Sequence, residues 1–122
     1  MNEEILSFLM KHGHDISGLR GSLRNAVESR SVDYWAMDKA TSFDFLQLCL
    51  DQLIPIIGGE VLCIEDGQFS FADVPWSYER HNNECFTDYL NHSLQRAKSY
   101  INMLSHGREV FFSFTIDSDA IE

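Results

Sequence analysis

His12, His14 and Asp15 are the first residues whose types and spacing could support chemistry. Two imidazoles and a carboxylate lie within four positions, and all three are ligands that zinc accepts. The alternation across Gly13, at the end of a predicted helix, is more typical of a histidine that caps the last turn. Because the sequence offers no further cluster of ligands, we expect no metal site here.

His81 and Cys85 have the four-residue spacing that brings an imidazole and a thiol onto one face of a helix. A thiol beside a histidine base can act as a nucleophile. Phe86 and the predicted helix start beside Cys85 instead favour a half-buried structural cysteine. The chain also lacks a glycine-rich phosphate loop, a GxSxG turn, an HExxH helix and paired zinc ligands. We therefore expect a protein that is not an enzyme and needs no cofactor.

A loop that carries aromatic side chains is the best candidate for binding a partner. The segment DVPWSYE, residues 73–79, places Trp76 and Tyr78 beside two carboxylates, Asp73 and Glu79. Aromatic side chains in a polar loop supply large, rigid contact areas and are frequent binding anchors. Trp76 could equally fold back and cover the core. Both placements are open at this point.

The charge of the chain excludes some classes of partner. Nine Lys and Arg against nineteen Asp and Glu give a formal net charge of −10. Such a protein repels the phosphates of nucleic acids and the surfaces of anionic membranes. Positions 40–79 contain no Lys or Arg and seven carboxylates, which are Asp44, Asp51, Glu60, Glu65, Asp66, Asp73 and Glu79. This acidic tract is either a solvated face that maintains solubility or a surface complementary to a basic partner.

The cysteines and the N-terminal sequence indicate the compartment. Cys49, Cys63 and Cys85 are an odd number, widely spaced and outside any CxxC pair, which predicts free thiols in a reducing environment. Residues 1–15 lack a basic region, and their apolar run is too short for a signal peptide or a membrane span. We therefore expect a cytoplasmic protein.

Hydrophobic periodicity predicts three helices. The first covers residues 3–12 and stops at Gly13, and a weaker helical stretch is possible from Ser22 to Arg30. The second begins near Asp38 or Thr41 and ends before Pro55, with one apolar stripe made of Leu46, Cys49, Leu50 and Leu53. The third is the most regular, with an apolar stripe made of Phe86, Leu90, Leu94, Ala97, Ile101 and Leu104.

Asp66-Gly67 is a strong signal for a two-residue hairpin turn between residues 61–64 and 69–72. In that register Ile64 faces Phe69 and Leu62 faces Phe71, so these four apolar side chains share one face of the hairpin. We expect this face to be core. Replacing Phe71 with alanine would then cost roughly 3 to 5 kcal/mol.

Residues 110–116 alternate as a further strand, with Val110, Phe112, Phe114 and Ile116 on one side. Helices and strands are segregated along the chain rather than regularly alternating. The sequence therefore predicts an α+β fold, in which helices pack on one face of a small, mostly antiparallel sheet that contains the hairpin. No repeat or linker divides the chain, so we expect residues 1–122 to form a single domain.

Several segments taken together resemble a known family. They are YWAMDKA at 34–40, IGGEV at 57–61, the Asp66-Gly67 turn, a tryptophan before the last helix and YLNHSLQRAKSYI at 89–101. In this order they are similar to small α+β immunity proteins of bacterial polymorphic-toxin and contact-dependent growth inhibition systems. The resemblance covers about 70 residues in the middle of the chain.

The resemblance implies a non-enzymatic protein that binds the C-terminal domain of a cognate toxin. The net charge separately argues against direct binding to nucleic acid or membrane. The acidic tract would match the basic substrate groove of a nuclease toxin. We expect Trp76 and Tyr78 to anchor the complex, with four carboxylates steering the toxin and pairing with its cations: Glu65, Asp66, Asp73 and Glu79. Two alternatives stay open, namely an acidic adaptor or chaperone for another basic protein, and a small enzyme that uses His81 with Cys85 or His12 with His14.

Overall fold

The computed structural model describes residues 2–117. Within them, four helices and six strands follow one another as α1 (Glu3–His12), β1 (His14–Asp15), α2 (Ala26–Ser29), β2 (Trp35–Ala36), α3 (Lys39–Asp51), β3 (Ile56–Glu65), β4 (Gln68–Phe71), β5 (Trp76–Ser77), α4 (Phe86–Ser105) and β6 (Phe111–Ile116). Two 3-10 turns, Ser17–Arg20 and Val32–Tyr34, lie on either side of α2. No helix in this part of the chain is long and apolar enough to cross a membrane.

The starts of α1 and α3 follow from local capping. The Asn2 side chain accepts a hydrogen bond from the backbone of Ile5 at the start of α1, and Asp38 accepts one from Thr41 at the start of α3. The helix α3 ends at Asp51, and Leu53 adopts a positive φ of 58° beyond it. Leu53 is therefore exposed, and the prediction that it continues the buried stripe of α3 is wrong. The possible helix between positions 22 and 30 is reduced to the single turn α2.

The central strand of the larger sheet is β3. Gly58 and Gly59 pair with both β5 and β6, and Leu62 pairs with both β4 and β6. Consequently β4 and β5 follow each other along one edge of β3, and β6 runs along the other. All three pairings are antiparallel. A second sheet is formed by β1 and β2 alone.

The first face of the larger sheet packs against the helices. Val61, Phe112 and Phe114 lie on this face and belong to the main core cluster. The buried stripe of α4, from Leu90 to Ile101, packs against the same cluster. The predicted α+β fold, with helices on one face of a mostly antiparallel sheet, is therefore confirmed.

The second face of the sheet is covered by residues 14–36, from β1 to β2, rather than by a layer of helices. We call these residues the N-terminal segment. Ile16 and Ala36 form a small core cluster with Leu62, against which Phe69 and Phe111 pack. The N-terminal segment reaches only part of the hairpin.

The hairpin has the predicted register, with Ile64 opposite Phe69 and Leu62 opposite Phe71. Its apolar face is only partly core, because the N-terminal segment covers Leu62 but leaves Ile64 53% and Phe71 39% exposed. The expectation that all four side chains are core is wrong at these two positions. The large stability loss expected for Phe71→Ala therefore does not apply.

Candidate partner-binding surface

The six predicted contact residues do not form one compact cluster. Glu65 and Asp66 lie at the tip of the β3–β4 hairpin, whereas Trp76 pairs with Gly59 near the other end of β3. Six positions of extended strand separate Gly59 from Glu65, which is roughly 20 Å. A partner that contacts both groups must therefore span the length of this sheet edge.

The hairpin tip is a rigid, acidic projection. Asp66 and Gly67 both have positive φ values, 51° and 77°, as a two-residue type I′ turn requires. The Glu65 and Asp66 side chains are exposed, and no Lys or Arg pairs with either of them within residues 2–117. These two carboxylates thus present uncompensated negative charge at a fixed position.

Elsewhere in the acidic tract, arginines from distant positions neutralise two carboxylates. Arg108 pairs with Asp73 at 2.9 Å, and both side chains are about a third or more exposed. Arg20 pairs with Glu60 at 2.8 Å beneath the N-terminal segment. The absence of basic residues from positions 40–79 therefore overstates the negative field of the tract.

Trp76 lies in the core, which is one of the two placements that the sequence left open. Its side chain is only 8% exposed and its ring centroid lies 5.4 Å from that of Tyr100. Two glycines of β3 make room for it. A Cβ atom at Gly59 would lie 2.5 Å from the Trp76 Nε1 atom, and one at Gly58 would lie 3.0 Å from the Trp76 carbonyl oxygen. The paired glycines thus allow β5 and its indole to approach β3 closely.

Tyr78 and Glu79 follow β5 directly. Tyr78 is half-buried, its backbone donates to the Ile57 carbonyl oxygen, and its ring lies nearly parallel to that of Tyr89. Its hydroxyl donates to the Glu84 carboxylate at 2.8 Å. Burial and this hydrogen bond raise the pKa of Tyr78. Glu79 is exposed and is available to a partner.

Glu84 is the centre of a polar cluster that spacing did not reveal. Its side chain is only 5% exposed and accepts hydrogen bonds from the Tyr78 hydroxyl, the His81 backbone and the His92 Nδ1 atom. Desolvation raises the pKa of Glu84, but hydrogen bonds, first that of His92, outweigh it and lower the pKa to about 2. Through Glu84, these hydrogen bonds connect the loop before α4 to His92 in the second turn of that helix.

We expect Glu84 to make the stability of the protein depend on acid pH. Its pKa in the folded state, about 2, is below the value of about 4.3 for an unfolded glutamate, so ionised Glu84 stabilises the fold above that pH. This contribution is lost as the pH falls from about 4.3 towards 2. Urea unfolding across this range should show a shallower pH dependence for Glu84→Gln than for the wild type.

The matched control for this experiment is Glu79→Gln, which removes the same charge at an exposed position. Its pH profile should follow that of the wild type. Parallel profiles for Glu84→Gln and the wild type would contradict the role assigned to the cluster.

The residues considered for catalysis are not assembled into a site. Within residues 2–117, no three His, Cys, Asp or Glu side chains lie close enough together to hold a metal ion. Both Asp15 carboxylate oxygens instead accept backbone hydrogen bonds, from Ser17 and Ala26. Cys85 is exposed at the N-cap of α4, which corrects the expectation that it is half-buried. No hydrogen bond within the described part of the chain joins Cys85 to His81.

Sequence reasoning missed the exposed apolar side chains beside the hairpin tip. Leu19 and Phe69 line one groove with Gly67, and Ile64 lies opposite Phe69. Alternation predicted correctly which side chains share a face, but it contains no information about how far the N-terminal segment reaches. The only local signal is the pair of glycines, Gly18 and Gly21, that flank Leu19 in the sequence.

Comparison with known protein families identifies the chain over most of its length. A family model described as Immunity protein 40 matches residues 26–116, which is about three quarters of the chain and extends from α2 to β6. No curated protein and no solved structure matches the chain. The match includes every segment on which the resemblance to immunity proteins was based.

Proposed function

The chain belongs to the Immunity protein 40 family of polymorphic toxin systems, and from this premise we propose that it neutralises a cognate bacterial toxin by forming a stoichiometric complex. The family match is the observation that carries the proposal. An immunity protein has a toxin protein as its partner, and a binder of this kind needs a stable scaffold and a complementary surface rather than a catalytic centre.

The charge of the protein favours a basic toxin domain. The net charge of −10 includes carboxylates that no cation of residues 2–117 neutralises, among them Glu65 and Asp66. A toxin domain that cleaves nucleic acid has a basic substrate groove, which such a surface complements. We therefore propose a nuclease domain at the C-terminus of the toxin as the partner.

We assign the toxin-facing role to the exposed members of the predicted set. Glu65, Asp66 and Glu79 are accessible, and Asp73 can exchange Arg108 for a toxin cation because both side chains are partly exposed. Tyr78 contributes its half-buried ring. Trp76 supports this edge from the core, where it fixes the position of β5.

We place the protein in the cytoplasm of the cell that produces the toxin. Cys49, Cys63 and Cys85 are all free thiols, as a reducing compartment allows. Burial raises the pKa of the Cys49 thiol, so this cysteine is held in its neutral form. We treat the whole chain as one functional domain.

Protection should saturate when one copy of the protein is present for each toxin molecule. The toxin domain encoded beside its gene is purified, and its activity is titrated with increasing amounts of this protein. Stoichiometric binding predicts a linear loss of toxin activity with an end point near one equivalent. Co-expression of the two proteins should likewise restore growth.

The negative control is Phe112→Asp, which places a charge at a fully buried position and should abolish folding. Cells that express this variant should die as cells without the protein do. Complete protection far below one equivalent would show that each copy of the protein inactivates many toxin molecules. That result would favour an enzyme over a stoichiometric inhibitor. Equal killing with and without the wild-type protein would refute toxin neutralisation.

A further inference from the structure

One surface of the molecule combines exposed apolar side chains with uncompensated charge. Ile64 is 53% and Leu19 41% exposed. The half-buried Phe69 pairs with Ile64 across the hairpin and lines a groove with Leu19. We name these three residues, with Asp66 and Asp15 at their rim, the hairpin patch. Large apolar side chains that cluster on a surface with a polar rim are typical of an interaction site.

The three apolar members of the hairpin patch belong to one continuous surface. Leu19 and Phe69 line a groove of about 410 Å³ together with Gly67. Ile64 is the direct cross-strand partner of Phe69 on the second face of the sheet. A side chain of a partner that enters the groove therefore contacts Leu19 and Phe69, and Ile64 lies beside Phe69 on the neighbouring strand.

The hairpin patch is also rigid before any partner binds. Phe69 packs edge-on against Phe111 at a centroid distance of 5.1 Å and lies 5.5 Å from the His14 ring. The type I′ turn fixes the hairpin tip beside it. Binding against Phe69 costs little conformational entropy, because its ring is already held by these contacts.

We propose that the hairpin patch is the centre of the toxin contact, where an apolar toxin side chain enters the groove and toxin Lys or Arg residues surround it. The proposal rests on the proposed function. Asp66 at the hairpin tip and Asp15 in the lining of the groove give the rim its negative sign. The exposed Glu65 side chain lies on the opposite face of the hairpin and adds negative charge beside the tip. A basic partner is complementary to this rim.

A second copy of this chain is a poorer occupant. A symmetric dimer centred on the hairpin patch would bring the same acidic rim from both copies together. Like charges that face each other across an interface weaken it, and the net charge of −10 adds to the repulsion. The charge of the rim therefore selects a basic partner over self-association.

The first test measures toxin binding after the apolar side chains have been removed. Leu19→Ser combined with Ile64→Ser removes two exposed groups, so the fold should persist, which circular dichroism verifies. The probe is the toxin domain encoded beside the gene, made inactive at its catalytic residue. We expect Kd to rise at least about 30-fold, mainly through faster dissociation.

The matched control is Met10→Ser combined with Leu53→Ser, which removes two similarly exposed apolar groups outside the groove and outside the predicted contact residues. Its Kd should stay within about 3-fold of the wild type. If the wild type binds and the hairpin double variant binds as this control does, the hairpin patch is not the contact centre, although toxin neutralisation stands. If the wild type does not bind the toxin domain at all, the proposed function itself fails.

The second test concerns the two carboxylates at the hairpin tip. Glu65→Lys with Asp66→Asn should slow association at low salt, and this difference should shrink as the Debye length falls from about 30 Å at 0.01 M to about 8 Å at 0.15 M salt. An association rate that neither salt nor the substitutions change would overturn the assignment of a basic partner. A wild-type dimer that Leu19→Ser with Ile64→Ser disperses would instead assign the hairpin patch to a second copy.

Discussion

Gly59→Ala should lower the free energy of unfolding by about 3 kcal/mol, the upper end of the usual range for a side chain forced into a filled core. The new Cβ atom would lie 2.5 Å from Nε1 of Trp76 and 3.0 Å from the backbone oxygen of Ser113. The indole cannot easily move, because it packs against Tyr100 within the core. The backbone oxygen belongs to β6, which pairs with β3 at this position. Urea unfolding of the variant measures the loss.

Two further variants separate the steric conflict from a general effect of alanine. Gly18→Ala is the matched control, because its Cβ atom would meet nothing within 4 Å, and its stability should be close to that of the wild type. Trp76→Phe removes the Nε1 atom. The double variant Gly59→Ala with Trp76→Phe should therefore lose less than the sum of the two single variants, by about 1 kcal/mol or more. Additive losses would show that the conflict lies with Ser113 alone.

Local signals were sufficient wherever an element is determined by its own residues. The stripe of α4 follows from the spacing of its apolar residues, and the β3–β4 register follows from Asp66-Gly67 together with the alternation around it. The caps of α1 and α3 also lie within three residues of the helix starts. These features could be predicted because the hydrophobic periodicity and the turn residues indicate the same structure.

The candidate site was less predictable, because its exposure and charge depend on distant contacts. Trp76 is buried because Gly59, 17 positions earlier, leaves room for its indole. Glu60 is neutralised by Arg20, and Asp73 by Arg108, from outside the acidic tract. The exposure of Ile64 depends on where the N-terminal segment ends. Neither the periodicity nor the composition of the tract contains this information.

Arg20 joins that N-terminal segment to the second face of the sheet. Its side chain is only 16% exposed and its guanidinium meets a partner on each side. Nε donates to the backbone oxygen of Asp33 at 2.7 Å, and the terminal nitrogens contact the Glu60 carboxylate at 2.8 Å and the Ser113 hydroxyl at 2.9 Å. The same group lies over the Phe71 ring, 5.0 Å from its centroid. One side chain therefore connects the segment to β3, β4 and β6.

Arg20→Met should reduce the free energy of unfolding by about 3 kcal/mol, because it leaves the Glu60 carboxylate without its cation in a mostly buried position. Removing both charges should cost less stability than the two single substitutions added together, because no unpaired charge is then left in this position. We expect Arg20→Met with Glu60→Gln to lose less than the sum of its single variants, by at least about 1 kcal/mol. Arg20→Lys should restore only part of the loss, since an ammonium group cannot reproduce the planar fork of contacts.

The matched control is Arg108→Met, which breaks the more exposed pair with Asp73 and should cost less than about 1 kcal/mol. Amide hydrogen exchange shows whether Arg20 stabilises the N-terminal segment in particular or the whole fold. In Arg20→Met, protection should fall more at Ile16 and Gly21, which donate backbone hydrogen bonds within the segment, than at Tyr89 in α4. If protection fell equally at all three amides, Arg20 would stabilise the whole fold and would not specifically hold the segment that borders the hairpin patch.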